Sequence, residues 1–152
     1  MVDNVTFQTA SAYELPFADA MFDVVHAHQV LVHLHEPVTA IREMVRVTKS
    51  GGLIALREAD LDTWSFWPEL AGLFKLNEIQ VKTHKANGGH SNGGRRLVNW
   101  AMKAGLKREQ IDMNFAGWSY NKPEDRRVMG KSPLSEELRQ YTTDIMKVKP
   151  WL

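Results

Sequence analysis

Three short apolar runs, each bounded by polar or turn-forming residues, organise the first sixty positions. Val5-Thr6-Phe7 passes into the small residues Thr9-Ala10-Ser11-Ala12 and predicts a buried strand ending in a loop. After Pro16 and Asp19-Ala20, the run Phe22-Asp23-Val24-Val25-His26-Ala27 predicts a second strand, apolar on both faces. Val38, Ile41, Val45 and Thr48 then recur at helical spacing, with Pro37 in the first turn and Gly51 placed to end an amphipathic helix. Gly52-Leu53-Ile54-Ala55-Leu56 predicts a third strand, closed by Arg57-Glu58-Ala59-Asp60. Strand, helix and strand in about forty residues make a βαβ unit, whose strands are expected to be parallel.

Beyond residue 60 the pattern changes. The aromatic stretch Trp64-Ser65-Phe66-Trp67-Pro68 leads into a helical segment over about 69–86, with Leu70, Leu73, Phe74 and Ile79 as its apolar face; together they read as a cap over the sheet, spanning about 61–93. The loop NGGHSNGG, 87–94, separates this cap from a helix in which Leu97, Trp100, Ala101 and Ala104 share a face and Gly105 terminates. A strand is expected at 110–120. From Ser132 onward, Pro133 followed by Leu134, Leu138, Tyr141, Ile145 and Val148 predicts an amphipathic C-terminal helix over 132–152.

Composition narrows the function classes. Lys and Arg total 19 against 18 Asp and Glu, a net charge of +1, which argues against a nucleic-acid partner. The halves differ, with 4 basic and 8 acidic residues before position 61 and 15 and 10 after it, but the imbalance is ordinary surface variation. The absence of cysteine removes thiol nucleophiles, disulfides and cysteine-built metal sites. No apolar run reaches the ~18 residues of a membrane helix, and the first twenty residues lack Lys and Arg, so a cytoplasmic protein without a membrane partner is expected.

Residues 10–60 resemble the middle of class I S-adenosylmethionine-dependent methyltransferases, nearest to the UbiE-like, type 11 branch. The features that carry the likeness are LPF at 15–17, FDVV at 22–25, VLVHL at 30–34, EPVTAIREMVRVTK at 36–49 and the SGG turn at 50–52. GGRRLVNWAMKAGL at 93–106 and FAGWSYNKPEDRRVMG at 115–130 are similar to the family's second half. The resemblance implies an α/β fold, a partial Rossmann-like doubly wound sheet running from the family's third strand onward and interrupted by the helical cap. On this reading residues 1–131 are the later two-thirds of the domain. The family's glycine-rich loop and its ribose-binding acid would precede residue 1, and the glycine doublets at 51–52, 88–89 and 93–94 do not replace them.

The resemblance also implies site residues. Ser11 and Ala12 would meet the adenine of S-adenosylmethionine, with Ser11 standing where the family has an acid; Ala27 and His28 would back its methionine end. His28 or His33 would be the base for a small-molecule acceptor, because methylation of oxygen or nitrogen commonly needs a proton removed near neutral pH. Glu58 and Asp60, at a strand's carboxyl end, together with Trp64 and Trp67, would face that acceptor. The pairs His26/His28 and His33/His35 have metal-like spacing, but a strand and pocket-rim role is preferred and no metal is expected. Arg95-Arg96 beside the glycine loop suggests an anion site, against which a turn that caps the next helix is preferred.

A second reading from another class is a catalytically inactive remnant acting as a binding or oligomerisation module, or as half of a split methyltransferase. Its support is the expectation of exposed sheet edges, which a homodimer or a partner chain would cover.

Overall fold

The computed structural model describes residues 4–115. Two strands, β1 (Phe22–His28) and β2 (Thr48–Arg57), pair in parallel, joined by the crossover helix α1 (Pro37–Val47). This is the βαβ unit that the sequence pattern predicts, and it gives the mixed α/β fold of a partial Rossmann-like sheet. After the strands come α2 (Ala71–Ala86) and α3 (Gly93–Lys103), with short 3₁₀ helices at Leu31–His33, Leu61–Thr63 and Arg108–Gln110.

Helix α1 forms because Pro37 presets its first turn and its apolar positions repeat on one side. That side buries Ala40, Ile41, Met44 and Val47. Ala27, Leu31 and Trp100 of α3 join Ala40, Ile41 and Met44 in one core, with Val25, Ile54, Leu56 and Leu97 packed around it. Thr48 ends α1 and starts β2, its hydroxyl donating to the Met44 carbonyl at 2.6 Å. Gly51 therefore lies inside β2 rather than ending the helix.

Among the described residues, the sheet is covered on one side, not two. Val25, Ala27, Ile54 and Leu56 turn to α1, whereas Val24 and its register partner Leu53 lie on the opposite face, 57% and 60% exposed. Parallel partners share a face, so His26 and His28 lie on this open side with Val24, and both are exposed. His26 is thus not a buried strand residue, contrary to expectation.

The first predicted strand does not form. Val5 and Phe7 are 55% and 93% exposed in irregular chain, because β1 and β2 pair only with each other and offer 5–7 no neighbour among the described residues. The nearest β-like feature is an isolated bridge between Ser11 and Glu14. Residues 111–115 are also irregular where a strand was expected to begin. The C-terminal helix predicted over 132–152 lies outside the described residues.

Candidate functional site

The carboxyl end of β1 runs into a tight turn. Gln29 sits in the left-handed region at φ 56°, and its N–H donates to the Arg57 carbonyl at 2.9 Å, so the strand pair is locked at its last rung. The chain then coils into the 3₁₀ helix Leu31–His33, whose Leu31 and Val32 are buried. Ala27 is in the core, while His28 and His33, on either side of the turn, are exposed.

Two elements distant in sequence grip this turn. Glu58, just past β2, accepts the backbone N–H groups of Val30 and Leu31 with one oxygen, at 3.0 and 2.8 Å. The Val32 carbonyl accepts the His84 Nε2–H of α2 and the His90 backbone N–H, both at 2.7 Å. A carbonyl partner requires the proton on His84 Nε2. The His84 ring also packs against His33, with centroids 4.8 Å apart. Loss of solvent, and secondarily the charge of His84, hold the His33 imidazole below its usual pKa of 6.5.

The glycine loop owes its composition to the same turn. Gly88 has a φ of 76°, and a Cβ there would run into the His35 ring, while a Cβ on Gly93 would run into Val32. Close packing against 32–35, not anion cradling, accounts for these two glycines. The arginines are already engaged: Arg96 donates to His90 Nδ1 at 3.1 Å and lies over Trp100, and Arg95 clasps Asp60.

Asp60 receives Arg95 through both carboxylate oxygens, at 2.5 and 2.7 Å, and this pairing holds its pKa below the usual carboxylate range. Next to it, buried Ser91 donates to Asp62 at 2.8 Å, and the Gly94 and Leu61 amides bond to Ala59 and Ser91. The 59–62 segment is thereby fastened to the loop before α3.

In the cap, Trp64 meets Phe66 edge-on at 6.4 Å and Phe66 meets Phe74 at 5.4 Å. Trp67 stands apart, 89% exposed. None of the residues of α2 is fully buried, and Leu70 and Phe74 of the expected apolar face are 54% and 46% exposed. At the other end of the chain, Ser11 is exposed and its hydroxyl oxygen accepts the Tyr13 N–H at 3.2 Å. Ala12 packs on the core, and the Tyr13 hydroxyl accepts the N–H groups of His35 and Glu36 at the start of α1.

The structure therefore brings His33, Glu58 and the previously unremarked His84 around one turn, with His28 just before it. It ties Asp60 to Arg95 and leaves Trp64 in an aromatic cluster. Among the described residues, no hydrogen bond or ring contact joins Ser11 or Trp67 to that turn. His84 and Tyr13 carry no sequence signal: each acts through a bond to backbone far along the chain. Among the described residues, no three His, Asp or Glu side chains are grouped to hold a metal ion, and no helix is long and apolar enough to cross a membrane.

Residues 1–56 match the methyltransferase domain family model. An uncharacterized methyltransferase of Schizosaccharomyces pombe is 37% identical over 132 residues, covering 86% of this chain and 46% of that protein. An O-methyltransferase of Aspergillus sclerotiorum is 39% identical over 71 residues, 47% of this chain and 27% of that one. A demethylmenaquinone methyltransferase of Renibacterium salmoninarum is 42% identical over 55 residues, 36% of this chain and 23% of its own length. The chain thus spans less than half the length of these methyltransferases. Over these stretches the chain is similar to methyltransferases, in keeping with the parallel βαβ unit.

Proposed function

We propose that the chain takes part in S-adenosylmethionine-dependent methyl transfer to a small-molecule acceptor, within a UbiE-like domain. The observation that carries this reading is the methyltransferase match over 1–56, which coincides with a parallel strand pair whose carboxyl ends bear two exposed imidazoles, His28 and His33.

The residues suit the cofactor chemically. Ser11 accepts a bond from Tyr13 and keeps its own hydroxyl proton free for an adenine nitrogen. Ala27 and His28 would flank the methionine end. The cofactor, when bound, supplies an electrophilic methyl group. The chain's contribution is alignment and proton removal: His33, held below its usual pKa, is neutral at pH 7 and can take a proton from an acceptor hydroxyl or amine. Asp60 is committed to Arg95 and so orients that arginine rather than acting as a base. Trp64, with Phe66, would offer an apolar wall for the acceptor, and the exposed Trp67 a further ring to close on it.

A second reading, a non-catalytic module or half of a split enzyme covered by a second copy or a partner chain, is favoured by the exposed Val24–Leu53 pair on the open side of the sheet. Calorimetric titration of the monodisperse chain with S-adenosylhomocysteine separates the two. Binding in the micromolar range, about −8 kcal/mol, supports the first. A folded sample that binds nothing overturns it for this chain alone and favours the second.

A further inference from the structure

Glu58 stands where an ordinary strand-ending acid would face water, yet it is folded back under the 29–33 turn. Its Oε1 takes the Val30 and Leu31 N–H groups, which open the 3₁₀ helix and have no partner within it. Its Oε2 is shut off from solvent and completes no hydrogen bond, although the Val32 amide also acts on the carboxyl. Removing a carboxylate oxygen from water without a partner costs free energy, so the arrangement is not one that stability alone favours.

We propose that Glu58 is a positioning residue: by gathering the Val30 and Leu31 amides onto one oxygen, it sets the turn that holds His28 and His33 at the end of β1. The left-handed Gln29, bonded to Arg57, fixes one side of that turn, and the Val32 carbonyl, taken by His84 and His90, fixes the other. Glu58 supplies the middle, where a charged acceptor makes the stronger bond. The inference rests on the methyl-transfer reading only for the use of the two imidazoles.

The titratable group acting on Glu58 is His84 of α2, against whose ring His33 packs at a tilt of 56°. Burial raises the Glu58 pKa above its usual 4.5, opposed by the amides of Leu31, Val30 and Val32 and then by His84. A raised carboxyl pKa means that the folded chain holds this proton more tightly than the unfolded chain, so stability falls as pH rises from 4.5 through the folded value. Glu58→Gln keeps an acceptor for the amides and removes the buried charge. Above that window it is therefore expected to be at least as stable as the native chain while holding the turn less firmly.

The test is an NMR pH titration of the full, isotopically labelled chain between about pH 4 and 8. In the native chain the Val30 and Leu31 amide protons are expected to shift together in one step, with a midpoint above that of an ordinary glutamate. In Glu58→Gln the step is lost, exchange of these two amides with solvent quickens about tenfold, and the His28 and His33 ring signals move without a fall in melting temperature. Native amides that show no step, a step that persists in Glu58→Gln, or unmoved imidazole signals in a folded variant would each overturn the proposal. If the variant does not fold, the native titration decides. Failure to bind S-adenosylhomocysteine would count against the methyl-transfer reading and leave this result standing.

Discussion

Arg46 and Glu43, one turn apart on α1, form a two-pronged ion pair, with Nε to Oε1 at 2.9 Å and Nη2 to Oε2 at 2.8 Å. The pair also fastens the segment before β1. Arg46 donates to the carbonyls of Leu15 and Phe17 and to Asp19, and Glu43 accepts the Leu15 N–H at 2.9 Å. The LPF motif is therefore held by backbone bonds to a helix some thirty positions later.

The Arg46 guanidinium and the Leu15 amide hold the Glu43 carboxyl at about 2, against 4.5 unpaired. Its folded pKa is depressed, so its contribution is present above 4.5 and is lost as pH falls toward 2. Thermal melts from pH 5 to about 2 should show a declining midpoint that Glu43→Gln shows less steeply. Parallel curves for the two proteins would refute this assignment. Arg46→Ala should in addition raise hydrogen exchange over 15–19.

Core and surface apolar residues should respond very differently. Ile41 has no exposed surface and sits in the core with Ala27 and Trp100, so Ile41→Ala should cost about 2–5 kcal/mol in urea unfolding. Phe7→Ala, at a position 93% exposed, should stay within about 0.5 kcal/mol. A comparable loss from Phe7→Ala would mean that residue 7 is buried in solution.

Asp60 and Arg95 should be coupled, but modestly, since Arg95 is about half exposed. A double-mutant cycle of Asp60→Asn and Arg95→Ala is expected to give roughly 0.2–1 kcal/mol. A value near zero would show that the pair does not fasten 59–62 to α3.

His33 is expected to titrate below 6.5, and His84→Leu should move its midpoint upward by removing the second cause of the shift. Because the folded pKa is depressed, His33 destabilises the fold progressively as pH falls below 6.5. If His33 is the base, His33→Asn should lower methyl transfer by about 10²–10⁴-fold while leaving S-adenosylhomocysteine affinity unchanged. Equal loss of both would point to a role in cofactor binding instead.

Local pattern made the βαβ unit and the core faces of α1 and α3 readable, because Pro37, the spacing of Ile41 and Val45, and the Leu97–Trp100–Ala101 set all act within one element. It misassigned Val5–Phe7, whose β-branched and aromatic run lacks a paired neighbour, since strand formation depends on a partner that composition does not reveal. Glu58 and Asp60 stood out as strand-end acids, but their partners, the Val30 and Leu31 amides and Arg95, lie 27 to 35 positions away. His84 was silent for the same reason: its bond to Val32 spans 52 residues.

The Val32 carbonyl, shared by His84 and His90, also imposes an order on synthesis. A ribosome releases His33 well before the residues that secure it, and the last of them, His90, follows 57 residues later. At 5–20 residues per second that interval is roughly 3 to 11 s. During it the strand pair can form, with Gln29 bonded to Arg57, while the far side of the turn still lacks its hold on the Val32 carbonyl. The imidazoles of this site are thus made well before the residues that hold the turn between them.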